Sequence, residues 1–292
     1  MVRMLAERAP AKINLSLRVI GRRADGYHEL DSIFLPIDWS DLVRVEVRPG
    51  SGPSVALRCN RADLADAASN LASRAAAAFA REYALDAQIM VDLEKHLPSG
   101  AGLGGGSSDA GAVLRMMAAM HGVAPDERLA KLALSLGADV PYFLDPRPAR
   151  VRGIGEKIEP LAAMPRLYLV LAVPPIEVPT ARIFRALNPA DWSGEIAPAD
   201  LAAILNGQFP RGATANDLAA PAMALYPRIA ELRALIEARG AIVAAMSGSG
   251  GSVFGIFSDR EAARQKTVER SSVAFGSPAT APPRQRPAVI RG

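Results

Sequence analysis

The stretch Leu97-Pro98-Ser99-Gly100-Ala101-Gly102-Leu103-Gly104-Gly105-Gly106-Ser107-Ser108-Asp109-Ala110 constrains this chain more than any other. Glycine lacks a Cβ, so a segment this rich in it can take left-handed φ and bring backbone N–H groups against a ligand. The residues that follow carry apolar side chains at Ala110, Val113, Leu114 and Met117, the i, i+3, i+4, i+7 spacing of a helix. Ser107, Ser108 and Asp109 are good N-cap types and are expected to open that helix. A glycine-rich turn feeding a helix N-terminus is an anion site, because unpaired amides and the positive end of the dipole face the ligand. The expected anion is a nucleotide phosphate.

Two common phosphate loops do not fit. Gly100-x-Gly102-x-x-Gly105 matches the dinucleotide fingerprint in letters, but that motif follows a strand directly and has an acidic residue about 20 positions on. Here Glu94-Lys95-His96-Leu97-Pro98 separates the strand-like run from the loop, and Met116 to His121 holds no carboxylate. The Walker A loop needs a lysine before its final Ser or Thr, and this loop has none.

The chain's 292 residues suffice for one large or two ordinary domains, and its 50% apolar and 22% charged content is that of a globular protein. No run reaches the roughly 20 apolar residues of a membrane span. The single cysteine, Cys59, cannot form an internal disulfide, and Met1 to Arg8 has no apolar signal core, so a cytoplasmic location is expected. A pI of about 9.4 invites a nucleic-acid partner. The charge map argues against one: Arg270, Arg284, Arg286 and Arg291 carry the whole formal excess of +4. They lie in a Pro-rich tail, and no basic stripe with interleaved aromatics occurs elsewhere.

Ile13 to Val19, Asp31 to Ile37 and Leu42 to Val47 alternate as half-buried strands. Asn70 to Tyr83 is Ala-rich and helical, Ala87 to Leu93 is a strand, and Ser108 to Met120 and Pro125 to Leu136 are helices, the last stopped by Gly137. Pro160 to Pro165 marks a boundary. Beyond it the pattern predicts strands at 167–173, 241–246 and 253–257 and helices at 178–187, 198–205 and 221–239. The expectation is an α+β, two-lobed chain: residues 1–160, residues 161–270, and a disordered Pro/Arg tail over 271–292.

Three further clusters carry candidate chemistry. Lys12 and Asn14 stand two apart on an apolar strand and so share a face. Asp139 sits in Leu136-Gly137-Ala138-Asp139-Val140-Pro141, an apolar setting after a helix stop, where a carboxylate needs a partner or a task. Met246-Ser247-Gly248-Ser249-Gly250-Gly251-Ser252 is a second Gly/Ser loop between apolar strands. Together with the first loop they suggest phosphoryl transfer, which requires a phosphate cradle, a metal and a positioned base. On this reading Asp139 is the base, Lys12 neutralises charge beside it, and Ser107 with a carboxylate is the candidate Mg²⁺ ligand.

The pattern Pro-x-x-x-Gly-Leu-Gly-Gly-Gly-Ser-Ser-Asp-Ala resembles the phosphate loop of the GHMP kinases. Pro10-Ala11-Lys12-Ile13-Asn14 with Gly21 to Leu30, Asn70-Leu71, Leu136 to Phe143, Gly153 to Glu156, Pro174-Pro175, Pro179-Thr180, Asn216-Asp217-Leu218 and Ser247 to Gly250 extends the resemblance over about residues 8 to 258. These runs are similar to the branch of that family that phosphorylates the tertiary 2-hydroxyl of a diphosphocytidyl methylerythritol in the non-mevalonate isoprenoid route.

The resemblance implies two lobes with the active site between them, ATP as co-substrate with Mg²⁺, a small cytidyl acceptor, no nucleic acid or membrane partner, and a monomer or homodimer. By matched position it implies Lys12 and Asp139 as the catalytic pair. Pro98, Ser99, Gly100, Ala101, Gly102, Leu103, Gly104, Gly105, Gly106, Ser107 and Ser108 would wrap the ATP phosphates, with Asn70 and Lys95 on the adenosine side. Asn14 would lie near the acceptor's diphosphate, and Tyr27, His28 and Phe184 would hold its cytosine. The loop alone admits other readings: a GHMP kinase for homoserine or mevalonate, or a nucleotide-binding relative without catalysis. Neither explains Gly26-Tyr27-His28 together with Lys12 and Asp139. The chain departs from the family after Phe257, where a helix and a closing strand are expected but Asp259 to Arg270 is short and charged.

Overall fold

The segments read as separate strands near the N-terminus form one long hairpin. In the structure, a computed structural model describing residues 2–162, 164–265 and 275–276, β1 (Arg3–Arg22) runs antiparallel to β2 (His28–Pro49) over nearly its full length. Its turn is closed by Arg23 N donating to Tyr27 O at 2.7 Å. Residues 31–37 and 42–47 are two halves of β2, offset by a register shift opposite Pro10 and Lys12. A bulge of this kind frees backbone groups from the ladder and bends the strand.

The remainder of this half comprises β3 (Ser54–Cys59), α1 (Leu71–Glu82), β4 (Ala87–Glu94), α2 (Gly105–His121), α3 (Glu127–Leu136), β5 (Ala149–Gly153) and β6 (Lys157–Pro160). The six-stranded sheet has the order β3-β4-β2-β5-β6, with β1 also on β2. Only β3 and β4 run parallel. The second half comprises β7 (Tyr168–Ala172), α4 (Thr180–Ala186), α5 (Pro198–Leu205), α6 (Ala219–Leu225), α7 (Pro227–Ala238), β8 (Val243–Met246), β9 (Val253–Phe257), α8 (Arg260–Gln265) and β10 (Phe275–Gly276). Its antiparallel sheet has the order β10-β7-β9-β8.

Burial explains how the halves meet. Val43, Val45, Phe79, Val113 and Met117 belong to a core formed by one face of the first sheet and α1 to α3. Ile13, Leu15, Ile33 and Leu35 share a second core with Leu169, Leu171 and Phe254. Leu17 and Val19, further along β1, pack with Ile183, Leu218 and Ile229. β1 is therefore the spine of both halves, and residues along it face both lobes. The architecture is α+β and two-lobed.

Several elements depart from the sequence pattern. The helix after the glycine loop starts at Gly105, with Gly104 rather than a Ser or Asp as its N-cap. Gly104 holds φ +70°, a left-handed backbone that favours glycine over Ser or Asp at this cap. The long helix expected over 221–239 is two, broken at Tyr226-Pro227, where Pro227 takes the first helical position of α7. β3, β5 and β6 were not anticipated. Beyond Phe257 a helix does form, α8, and the two residues of β10 pair with Val170 and Leu169 of β7. The tail expected at 271–292 otherwise lies outside the described residues. Among the described residues no helix is long and apolar enough to cross a membrane.

Candidate active site

The glycine loop is held by its carbonyls. Leu103 O accepts from Lys12 N at 3.0 Å, the amide that the β1 bulge releases, and Ala101 O accepts from Ser252 N at 3.1 Å. Gly102 O accepts from Ser247 Oγ at 2.9 Å, and that oxygen also accepts from Asn14 N at 3.2 Å. Asn216 donates from Nδ2 to Met246 O and Gly248 O, both at 2.9 Å, fixing the second Gly/Ser loop behind the first. With its carbonyls turned onto protein, the loop presents the first-turn amides of α2 to the space in front of it.

Two glycines make this docking possible. Gly102 has φ +74°, and a Cβ there would stand 2.3 Å from Ser247 O. Gly104 has φ +70°, and a Cβ would meet the Phe143 ring at 2.9 Å and Lys12 Cε at 3.2 Å. Left-handed φ alone costs a non-glycine residue about 1–2 kcal/mol. Gly102→Ala adds a collision with backbone, so it is expected to lower stability by more than about 2 kcal/mol in chemical denaturation and to abolish ADP binding by calorimetry; a variant with unchanged ADP affinity would refute the tight docking.

Lys12 is buried beside this loop. Its Nζ donates to Asn14 Oδ1 at 2.6 Å, lies 3.5 Å from Asp139 Oδ2 and sits 4.6 Å from the centroid of the Phe34 ring. Asn14 Nδ2 donates in turn to Ser32 Oγ at 3.0 Å. Asp139 comes from the turn between α3 and the 3-10 turn Pro141–Leu144, and its side chain is 32% exposed. Gly155 lets the chain close on that turn: a Cβ there would lie 2.4 Å from Ala138 O. The lysine is thus fixed by packing while the carboxylate beside it keeps access to the cleft.

A cavity of about 1110 Å³ joins these parts. Lys12, Asn14, Asp139, Asn70, Lys95, Tyr27, His28, Phe184 and every loop residue from Pro98 to Ser107 line it. Ser108 does not: it is fully buried, and its amide is spent on Gly104 O at 2.8 Å. Asn70 caps α1, accepting from Ala72 N at 2.9 Å and donating to Leu64 O at 2.9 Å, so its side chain is already engaged. At the far mouth His28 stacks on Phe184 with ring centroids 4.9 Å apart and planes at 26°. Burial, and then the Arg22 charge, lower the His28 pKa, which favours a neutral ring able to donate and accept. Tyr27, on the hairpin turn, is 60% exposed.

Three groups near the cavity take roles that the sequence does not announce, Asp109 reading there only as an N-cap type. Trp192 meets the His28 ring edge-on at 6.0 Å, yet it follows a short Pro turn with no periodicity to mark it. Asp41 and Asp109 both accept from the Lys95 ammonium, Asp109 Oδ2 at 2.8 Å. Burial pushes the Asp109 carboxyl up to about 8, despite the pull of Lys95 and with the Asp41 charge adding to the rise. Burial works against the Lys95 ammonium, but the two carboxylates outweigh it and raise its pKa. Nothing in the spacing of three residues so far apart in sequence announces the cluster.

The model of the GHMP kinases N terminal domain matches residues 70–145, and that of the GHMP kinases C terminal domain matches residues 200–268. A 4-diphosphocytidyl-2-C-methyl-D-erythritol kinase of Anaeromyxobacter dehalogenans is 44% identical over 277 residues, covering 93% of this chain and 86% of that protein. The chain belongs to the 4-diphosphocytidyl-2-C-methyl-D-erythritol kinase family. The relative of the same name from Parvibaculum lavamentivorans is 42% identical, with 90% of this chain and 92% of that protein covered. A crystal structure of a 4-(cytidine 5'-diphospho)-2C-methyl-D-erythritol kinase superposes with a TM-score of 0.79 at 37% identity, covering 93% of this chain and 98% of that one. A homoserine kinase from Cytophaga hutchinsonii shares the fold, with a TM-score of 0.70 at 20% identity over 90% of this chain and 87% of its own. Family members of the first kind therefore match in sequence and fold together, whereas the homoserine kinase matches in fold.

Proposed function

We propose that this chain transfers the γ-phosphoryl group of ATP to the 2-hydroxyl of 4-diphosphocytidyl-2-C-methyl-D-erythritol, a step of the non-mevalonate isoprenoid route. The observation that carries this reading is the Lys12–Asp139 pair, 3.5 Å apart and opening with the glycine loop and the His28–Phe184 stack into one cavity. Asp139 takes the hydroxyl proton, the oxygen attacks the γ-phosphorus, the bond to the β-phosphate oxygen breaks, and ADP leaves. Lys12 stabilises the oxygen as charge develops on it. Loop amides from Gly105 to Ser107 cradle the phosphates, with Lys95 and Asn70 toward the nucleoside end. Asn14 is tied to Lys12 and Ser32 and faces the acceptor's diphosphate.

The donors present suit a magnesium ion that arrives with the nucleotide. Ser107 and Asp139 offer oxygens on the cavity wall, whereas Asp109 is engaged by Lys95. Among the described residues no group of three or more His, Cys, Asp or Glu forms a standing metal cage, and Mg²⁺ on substrate phosphates needs only one or two protein oxygens. When bound, Mg²⁺ neutralises charge on the phosphate oxygens.

Residues 1–160 serve as the ATP-binding N-terminal lobe and 161–270 as the C-terminal lobe; the two matched spans fall within them. The assembly we propose is a monomer or a homodimer. A single cysteine supports a cytoplasmic setting.

The test is ATP consumption by the purified chain with the cytidyl acceptor, homoserine or mevalonate. Stimulation by the cytidyl compound alone is expected, and stimulation by either of the others instead would overturn the assignment. Phe184→Ala is expected to raise KM for the cytidyl substrate by about 5- to 150-fold, since base stacking is worth roughly 1–3 kcal/mol, and to leave KM for ATP nearly unchanged. Equal effects on both would remove Phe184 from the base pocket.

A further inference from the structure

We infer that Asp41, with Asn60 beside it, is the positioning clamp that sets the glycine loop for its nucleotide. The inference rests on the assignment of that loop to ATP. β4 ends at Glu94 and the glycine loop opens at Pro98, so Lys95, His96 and Leu97 leave the sheet carrying polar groups that no strand takes up. Two side chains take them up instead. Asn60 Oδ1 accepts from Lys95 N at 2.8 Å, and Asn60 Nδ2 donates to Lys95 O at 3.2 Å. Asp41 Oδ1 accepts from His96 N at 2.6 Å and from Leu97 N at 2.8 Å. The other Asp41 oxygen accepts from Lys95 Nζ, which donates also to Asp109 Oδ2 of α2.

The chemistry of the clamp exceeds what stability alone requires. Asp41 is 0% exposed, and a carboxylate that far from water is tolerated only with its lone pairs filled. An apolar residue and a longer ladder would satisfy the same amides at lower desolvation cost. The carboxylate adds something a ladder lacks: it fixes the Lys95 ammonium at the cavity wall, 3.4 Å from the position a Cβ would take on Gly105, the first residue of α2. Asp41 pairs with Ala9 of β1, immediately beside the bulge that frees Lys12 N for Leu103 O. One stretch of rigid sheet thereby holds the entry of the loop through Asp41 and its exit through Lys12. Displacements of about 1 Å at such supports can cost on the order of 10²-fold in rate.

The experiment compares the full-length wild type, Asp41→Asn and Asn60→Ala by calorimetric titration with ADP and by the two KM values. Asn at 41 keeps an acceptor for the amides but sets an NH₂ group or a neutral oxygen against the ammonium. Asp41→Asn is expected to weaken ADP binding by about tenfold or more, and Asn60→Ala by about threefold, with KM for ATP rising in step and KM for the cytidyl acceptor within about twofold of wild type. Asn60 is exposed, so its variant tests the clamp even if Asp41→Asn fails to fold. Unchanged ADP affinity in the folded variants, or parallel loss toward both substrates, overturns the clamp while leaving the kinase reading intact. A wild type that binds no ADP overturns both.

Discussion

Asp139→Asn is expected to lower kcat by about 10²- to 10⁴-fold, the usual contribution of a positioned general base. The substitution is nearly isosteric and removes the proton acceptor together with the negative charge 3.5 Å from Lys12 Nζ. Lys12 Nζ keeps its 2.6 Å bond to Asn14 Oδ1, and the carbonyls that dock the glycine loop are untouched. KM for ATP should therefore change far less than kcat, by no more than the loss of one of the two oxygens offered to Mg²⁺. A thousandfold loss corresponds to about 4 kcal/mol of transition-state stabilisation, which a partly exposed carboxylate with a merely structural ion pair does not supply, since such pairs are worth about 0–1 kcal/mol. Single-turnover phosphoryl transfer in rapid quench separates chemistry from product release. A chemical step within about tenfold of wild type would strip Asp139 of the base role.

The site was legible in sequence wherever chemistry depends on residue type over a short span. The glycine loop announced itself because only glycine permits φ near +70° at 102 and 104 with backbone or ring packed where a Cβ would go. Lys12 and Asn14 announced themselves because strand alternation puts i and i+2 on one face, and the 2.6 Å bond between them is the consequence. Long-range partnerships were not legible. Asp41 meets Lys95 and Asp109 only because β2, β4 and α2 converge, and no local pattern ties residues 54 and 14 positions apart. The helix start was misjudged for a related reason. Cap preference points to Ser and Asp, but tertiary docking of Ala101, Gly102 and Leu103 carbonyls winds the chain into helix at Gly105. β5 and β6 are short strands of four or five residues beside a Gly turn, too brief for alternation to stand out.

Lys12→Met should remove turnover by about 10²- to 10³-fold, in the range seen when one electrostatic stabiliser of a transition state is lost. Methionine matches the length and unbranched shape of the lysine stem, so the packing under Gly104 is retained, while the ammonium's contact with the Phe34 ring is lost. What disappears is the ammonium facing Asp139 and Asn14. The fold should bear this well: an unpaired Asn14 Oδ1 costs about 1–3 kcal/mol, and relief from burying a charge offsets part of it. A near-normal melting temperature with collapsed kcat is the expected combination; retained turnover would exclude Lys12 from the chemistry. Lys12→Arg discriminates further. It keeps the charge, but a planar guanidinium cannot replace a point charge in the space left by Gly104 and the Phe143 ring, so it should rescue only part of the loss. The decisive variant joins Lys12→Met to Asp139→Asn. Because one group takes the proton and the other meets the oxygen that loses it, the two act on a single event. Their combined loss should be close to that of the worse single variant rather than the product of both. Fully multiplicative losses would mean that the 3.5 Å pair is a neighbourhood and not a mechanism.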